Sequence, residues 1–288
     1  MRSSKLILIA TALLGILSVA NMHYGSIATA YEPVIKIPSA NLTKEIPLIT
    51  SNPYDEKPIN DNCQNGMIEI IGEYCQHVQE KCLKWIDAKN KYPYMCESFE
   101  YPTKCISKTT HMNFCIDKYE AQNNKGEVPE VFVDWFTAKI KCESSGKRLC
   151  DTRELTLACE GPELKPYPYG YVRDIKKCNI GNMWIDPDKI QFEKLDRRTP
   201  SGIYETCKSD FGVYDGVGNV DEWSINADGF MNKAPYKSAL FGGHYVNGIR
   251  NRCRDQGVPS ITTSHGPGAK NYEISYRCCS DPLLMSKD

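Results

Sequence analysis

Residues 211–223 read FGVYDGVGNVDEW. Gly212, Gly216 and Gly218 are interleaved with aromatic residues and valines, and with the acids Asp215, Asp221 and Glu222. Glycine permits positive φ and close backbone approach, so the spacing predicts a tight, buried loop rather than a helix or strand. Acids on such a loop need partners once they leave water. Asp215, Gly218, Val220 and Glu222 stand at i, i+3, i+5 and i+7, and two carboxylates with two backbone carbonyls can wrap a calcium ion, which takes six to eight oxygens. The spacing is not that of an EF-hand, and an acidic turn satisfied by backbone N–H groups and water fits it as well.

Around this loop lies a chain of 288 residues with a formal net charge of −1. Its Lys/Arg runs never exceed two residues, so it carries no electrostatic footprint for nucleic acid. Fourteen cysteines fall between Cys63 and Cys279, and none forms a CxxC pair. A dense, even set behind an export signal reads as a disulfide framework, whereas zinc clusters favour CxxC spacing. Residues 1–30 have the form of that signal. Arg2 and Lys5 precede the apolar run LILIATALLGILSVA at 6–20, and Ala28-Thr29-Ala30 offers a small-x-small cleavage site. The run is short for a membrane span; retention as an uncleaved anchor is the alternative to cleavage. The expected location is periplasmic or extracellular, with no transmembrane domain after cleavage.

Residues 31–60 are punctuated by prolines and read as a flexible tether. Residues 61–111 hold five cysteines and one strand-like run, GMIEII at 66–71, with too few apolar residues for their own core. They read as a disulfide-pinned extension packed on a main domain at 112–279, with 280–288 as a tail. In that domain FCIDKYE at 114–120 alternates as a strand does. Asp134 caps a helix carrying Trp135, Ala138 and Cys142 on one face, and Gly146 stops it. Asp151 and Glu154 form a capping-box start for a second helix with Leu155, Ala158 and Cys159 on its inner face. Regular structure is sparse from there to a last strand at 272–278. The vicinal pair Cys278-Cys279 implies two separate disulfides, because a bond between neighbours is strained.

Taken in order, several segments resemble the formylglycine-generating enzyme family, also called sulfatase-modifying factor domains. They are VDW at 133–135, GKRL at 146–149, YPYG at 167–170, TPSG at 199–202, the opening loop, FGGHY at 241–245 and SYRC at 275–278. The resemblance spans about residues 112–279 and implies an α+β domain of the C-type-lectin-like kind. It implies calcium ligands at Asp215, Gly218, Val220 and Glu222, and a second calcium set at Asn179, the Ile180 carbonyl and Glu193, or Asp196 if the alignment shifts. It also implies disulfides Cys142–Cys278 and Cys159–Cys253. Cys178 and Cys207 flank the proposed calcium segments and form a further candidate pair.

Aerobic members of the family bind copper(I) through two cysteines five residues apart and oxidise a substrate cysteine to formylglycine. The corresponding positions here are Asn247 and Arg252, with Cys253 one further on and His244 in place of the family's serine. Neither an amide nor a guanidinium replaces a soft thiolate. The expectation is therefore a member that does not make formylglycine and acts as a scaffold or ligand-binding module with structural calcium. The alternative is an oxidoreductase with a rebuilt copper or iron centre, its candidate catalytic residues being His244, Asn247, Arg252 and Cys253. A third reading keeps formylglycine generation through Cys253. Arg250 and Arg252 beside Tyr245 suggest a groove for a peptide or a small anionic ligand; pairing with Asp255 and other acids is the rival. His265 lies in a flexible HGPG loop near that groove.

Overall fold

The computed structural model describes residues 62–86, 95–227 and 237–283, all within one compact unit. The signal and tether segments, and residues 284–288 of the tail, lie outside the described residues. Before the first helix come β1 (Met67–Cys75), β2 (Val78–Gln79), β3 (Cys82–Trp85), β4 (Cys96–Phe99), β5 (Lys104–Cys105) and β6 (Thr109–Asp117). Next are α1 (Trp135–Ser144), β7 (Arg148–Leu149), α2 (Thr152–Glu160) and the single turn α3 (Phe192–Leu195). The chain continues with β8 (Asp221–Ile225), β9 (Ser238–Phe241), β10 (Arg254–Asp255), β11 (Val258–Pro259) and β12 (Ile261–Thr262), and ends with β13 (Ile274–Tyr276) and β14 (Cys278–Ser280).

Two four-stranded sheets organise these pieces, in orders β1-β6-β14-β7 and β12-β9-β8-β13. The first is antiparallel throughout; in the second, β8 and β13 run parallel. β1 pairs with β6 along its whole length, from Met67↔Asp117 to Cys75↔Thr109, so the cysteine-rich segment contributes a strand to the main sheet. Both helix starts follow the sequence. The Asp134 carboxylate accepts from Thr137 N–H at 2.7 Å. Asp151 and Glu154 complete a reciprocal capping box, a feature worth about 1 kcal/mol. α1 buries Ala138 and Cys142. α2 buries Leu155, Ala158 and Cys159 against a core that includes Ile70, Ile116 and Phe241.

The opening loop is tight as far as Val220 and buried but for Phe211, Gly212 and Gly216, which are half-buried, with positive φ at Gly212, Asp215, Gly218 and Asn219. At Gly218 a Cβ would lie 2.4 Å from the Asn179 carbonyl oxygen, so only glycine lets these two segments meet. Its last three residues depart from the loop expectation, because Asp221 opens β8. That strand is buried on both faces, so it shows none of the polar–apolar alternation by which a strand is read. The expected final strand also divides: β13 and β14 belong to different sheets, and Arg277 stands between them.

All fourteen cysteines are paired. Cys142–Cys278, Cys159–Cys253 and Cys178–Cys207 form as expected. The vicinal cysteines go to separate partners, Cys279 bonding Cys150. Cys63–Cys115, Cys75–Cys105 and Cys82–Cys96 pin the N-terminal segment. Among the described residues no helix is long and apolar enough to cross a membrane.

Candidate functional site

The segment after β9 carries the candidate catalytic residues, and the fold gives each of them a structural partner. Asn247 accepts a 2.6 Å hydrogen bond from Arg173. Cys253 is bonded to Cys159, so it holds no thiolate. Arg252 is buried; it pairs with Asp255, lies 3.6 Å from Glu80, and stacks over the Phe99 ring at 5.2 Å. Glu80 and Phe99 both come from the cysteine-rich segment, so that segment covers Arg252. His244 Nδ1 lies 3.3 Å from Asp221 Oδ2.

The rival reading, pairing with acids, describes these arginines. Arg250 makes two 2.7 Å bonds to the Asp221 carboxylate. Tyr245 is buried, its hydroxyl donating to the Leu195 carbonyl at 2.9 Å. Arg254, which the sequence reading passed over, is fully buried on Glu160 with bonds of 2.5 and 2.9 Å. Residues 250, 252 and 254 thus send three guanidiniums to separate acids, Arg252 reaching two of the four. The alternation of Arg at every second position was the available signal. Burial alone would raise the Asp221 pKa; Arg250 and the His244 hydrogen bond outweigh it and hold the carboxyl well below the carboxylate range.

The acids of the opening loop meet a residue that sequence reading did not select. Glu120, Asp215 and Glu222 are all buried and act on one another electrostatically. Arg277 is the cation among them, bonding Glu222 at 2.9 and 2.6 Å. Asp215 accepts from Gly202 N–H at 2.7 Å. Glu120 Oε2 accepts from Ser201 Oγ and Asn219 Nδ2 at 2.9 and 2.6 Å, while its Oε1 is buried without a partner. Burial raises all three pKa values, and pushes Asp215 up to about 7. Three carboxylates against one guanidinium leave a deficit of positive charge. A hard cation or bound protons would close it, and an orphaned carboxylate oxygen is the kind of ligand a hard cation takes. Ser201 and Gly202 also floor an open pocket of about 350 Å³ lined in addition by Lys125 and Glu205.

The second proposed calcium set is arranged otherwise. Arg173 donates to the Ile180 carbonyl at 3.1 Å, already placing a cation there. Asn179 is held by Asn182, Asn219 and the Arg197 carbonyl. Glu193 is exposed on α3, and Asp196 is bound by Arg198 at 2.8 and 2.6 Å. A further cluster, Cys150, Glu154 and Cys279, brings its donor atoms within 4.8 Å of one another. Its two sulfurs form a disulfide and Glu154 is engaged by Arg148 at 2.8 and 2.6 Å, so its donor set does not suit a metal.

The two sheets, capped helices and disulfide-held irregular chain define an α+β domain with the formylglycine-generating-enzyme fold. Residues 72–281 match the family described as the sulfatase-modifying factor enzyme 1-like domain, and the chain belongs to that family. Over 164 residues it is 26% identical to the inactive C-alpha-formylglycine-generating enzyme 2 of Bos taurus, covering 54% of this chain and 51% of the relative. The chain thus spans about half the length of that curated relative. Among solved structures, PvdO from Pseudomonas aeruginosa superposes with a TM-score of 0.47 at 17% identity, covering 75% of this chain and 94% of PvdO. Variable protein 1 of Treponema denticola does so with a TM-score of 0.45 at 13% identity, covering 78% of this chain and all of the other.

Proposed function

We propose that this protein is an exported, non-formylglycine member of its family, a disulfide-stapled scaffold that binds a protein, peptide or small ligand. One observation carries the reading: Cys253 is bonded to Cys159, and no cysteine of the chain is left as a thiol. Copper(I) chemistry on the family pattern needs two thiolates. The inactive relative from Bos taurus supports the same conclusion. Seven disulfides support export, since such bonds form and persist in oxidising compartments.

The test is incubation with a sulfatase-type cysteine peptide, copper, oxygen and reductant, with the product weighed. The peptide should keep its mass. Loss of about 18 mass units from its cysteine, abolished by Cys253→Ser in a folded protein, would assign Cys253 a copper-ligand role instead.

Calcium is part of the same proposal. Asp215 and Glu222, with the Gly218 and Val220 carbonyls, would hold it, Glu222 giving up its bonds to Arg277 to do so. The support is the excess of buried negative charge around Arg277. Bound there, the ion would supply cross-linking of loops rather than chemistry. No calcium is proposed at Asn179 and Ile180, because Arg173 takes the carbonyl.

A further inference from the structure

The sheet β1-β6-β14-β7 ends on one side in the two-residue β7 and on the other in the nine-residue β1. A very short edge strand is a poor template for another chain, but β1 is longer than the usual strand of about 5–6 residues. Among the described residues no strand pairs with its outer side. The hydrogen bonds at its ends fix which residues face that side. Met67 lies opposite Asp117, yet its N–H donates to the Gln64 carbonyl at 3.0 Å, while Lys118 N–H donates to the Gly66 carbonyl at 3.2 Å. Bonded and non-bonded pairs alternate along an antiparallel ladder. Ile68, Ile70, Gly72 and Tyr74 therefore bond β6, and Glu69, Ile71 and Glu73 turn their N–H and C=O groups outward. Arg254 closes the far end of this edge by donating to the Cys75 carbonyl. Between the two ends, the outward backbone groups of Ile71 and Glu73 have no partner among the described residues.

Glu69, Ile71 and Glu73 also share one face of the sheet, since side chains alternate with period two. The opposite face carries Ile68, Ile70 and Tyr74 into the core. Ile71 is 53% exposed, with a carboxylate two residues away on either side. Those charges decide what the edge accepts. A second copy of the chain, added antiparallel about Ile71, would set Glu69 opposite Glu73 of the second copy. Like charges directly opposite one another are destabilising. A strand with a basic residue opposite each acid and an apolar residue opposite Ile71 gains at all three positions. Asn62 and His111 already bond Glu69 and Glu73, at 3.2 and 2.9 Å, but a carboxylate accepts more than one bond.

We propose that the outer edge of β1 is a docking site for an extended segment of a partner protein with the alternating pattern basic-x-apolar-x-basic, which joins the sheet as a further strand. Backbone bonds to Ile71 and Glu73 hold the segment, and the carboxylates of Glu69 and Glu73 select its charge. This site deepens the reading of the protein as a binding scaffold and rests on it; the bonded Cys253 is tested separately, by the formylglycine assay.

The experiment uses the full disulfide-bonded chain and two synthetic peptides, TKTVTKT and the charge-reversed TETVTET. Amide hydrogen exchange is followed residue by residue by NMR. Without peptide, the Ile71 and Glu73 amides should exchange fast, while those of Ile70 and Gly72 are protected by β6. TKTVTKT should bind saturably below about 1 mM, slow exchange at Ile71 and Glu73, and bind more weakly as salt rises. TETVTET should not bind. Ile71→Pro deletes an outward N–H without touching the ladder to β6, and proline is tolerated on such an edge. It should abolish binding while keeping the wild-type circular dichroism. Glu69→Lys with Glu73→Lys should exchange the preference for TETVTET, and this exchange decides should Ile71→Pro fail to fold. No saturable binding, or binding that leaves the Ile71 and Glu73 amides exchanging fast, overturns the proposal. So does protection of those amides before peptide is added: protection lost on dilution would mean a second copy on the edge, and protection that persists would mean another stretch of the same chain.

Discussion

Arg277 places its Nε and Nη2 on the Glu222 carboxylate, 2.9 and 2.6 Å away, at the residue where the chain passes from one sheet to the other. The same guanidinium donates to the carbonyls of Asp117 at 3.1 Å and Tyr214 at 2.9 Å. It therefore ties the end of β6, the opening loop and the start of β8 to the C-terminal strands, and it is the cation facing Glu120 and Asp215. Removing it by Arg277→Met should cost about 3–5 kcal/mol near neutral pH, because buried carboxylates are left uncompensated. Urea unfolding at pH 7 and pH 4 measures this. The loss should shrink at pH 4, where the acids protonate; an equal loss at both pH values would mean that packing, not charge, is what Arg277 provides.

The calcium reading has its own pH signature. Asp215 has its pKa raised from 3.8 to about 7 by burial, and Glu120 and Glu222 move the same way. A raised carboxyl pKa gives stability that is complete below the unfolded value and is lost as pH rises through the folded one. The chelated protein should therefore lose melting temperature between pH 4 and 7. Added calcium should restore it, and more at pH 7.5 than at pH 5, since protons compete for the same oxygens. A melting curve indifferent to chelator and calcium at every pH would remove calcium from the cluster.

Glu80 gives a second, separable titration. Burial raises its pKa from 4.5 to about 7, against the opposing charges of Arg252 and Arg254. Glu80→Gln removes that proton uptake. The variant should match the wild type near pH 5 and be the more stable of the two at pH 8, by thermal unfolding in the presence of calcium. Lower stability than the wild type at pH 8 would show that the charge of Glu80 is what holds Arg252 in place.

Cys159–Cys253 closes a span of 94 residues. In the chain-entropy account its removal by Cys159→Ser with Cys253→Ser should cost about 4 kcal/mol, seen as a lower urea midpoint. A negligible change would indicate that the remaining six bonds already constrain the unfolded chain.

Thiol counting tests the compartment. Alkylation of the mature protein under non-reducing denaturation should modify no cysteine, and its N-terminus should fall near Tyr31. Several modified cysteines would argue for a reducing compartment.

Much of this architecture was legible in the residues themselves. Helix caps are local chemistry, so Asp134, Asp151 and Glu154 announced α1 and α2 without help from the rest of the chain. Ordered motifs across 112–279 marked the family, and the resemblance set Asn247 and Arg252 where its copper-binding cysteines are expected, which is what the proposed function builds on. The tertiary structure decided what depends on partners remote in sequence. Glu120 looked like an ordinary strand-end acid until the fold set it beside Asp215 and Glu222, about a hundred residues away. Glu80 and Glu160 likewise acquired their arginines from residues 252 and 254. Arg250 could have served a ligand or an acid, and only the packing of the segment after β9 against β8 chose Asp221. Composition and spacing specify short-range hydrogen bonds, whereas the state of a buried charge is set by whichever opposite charge the fold brings within reach.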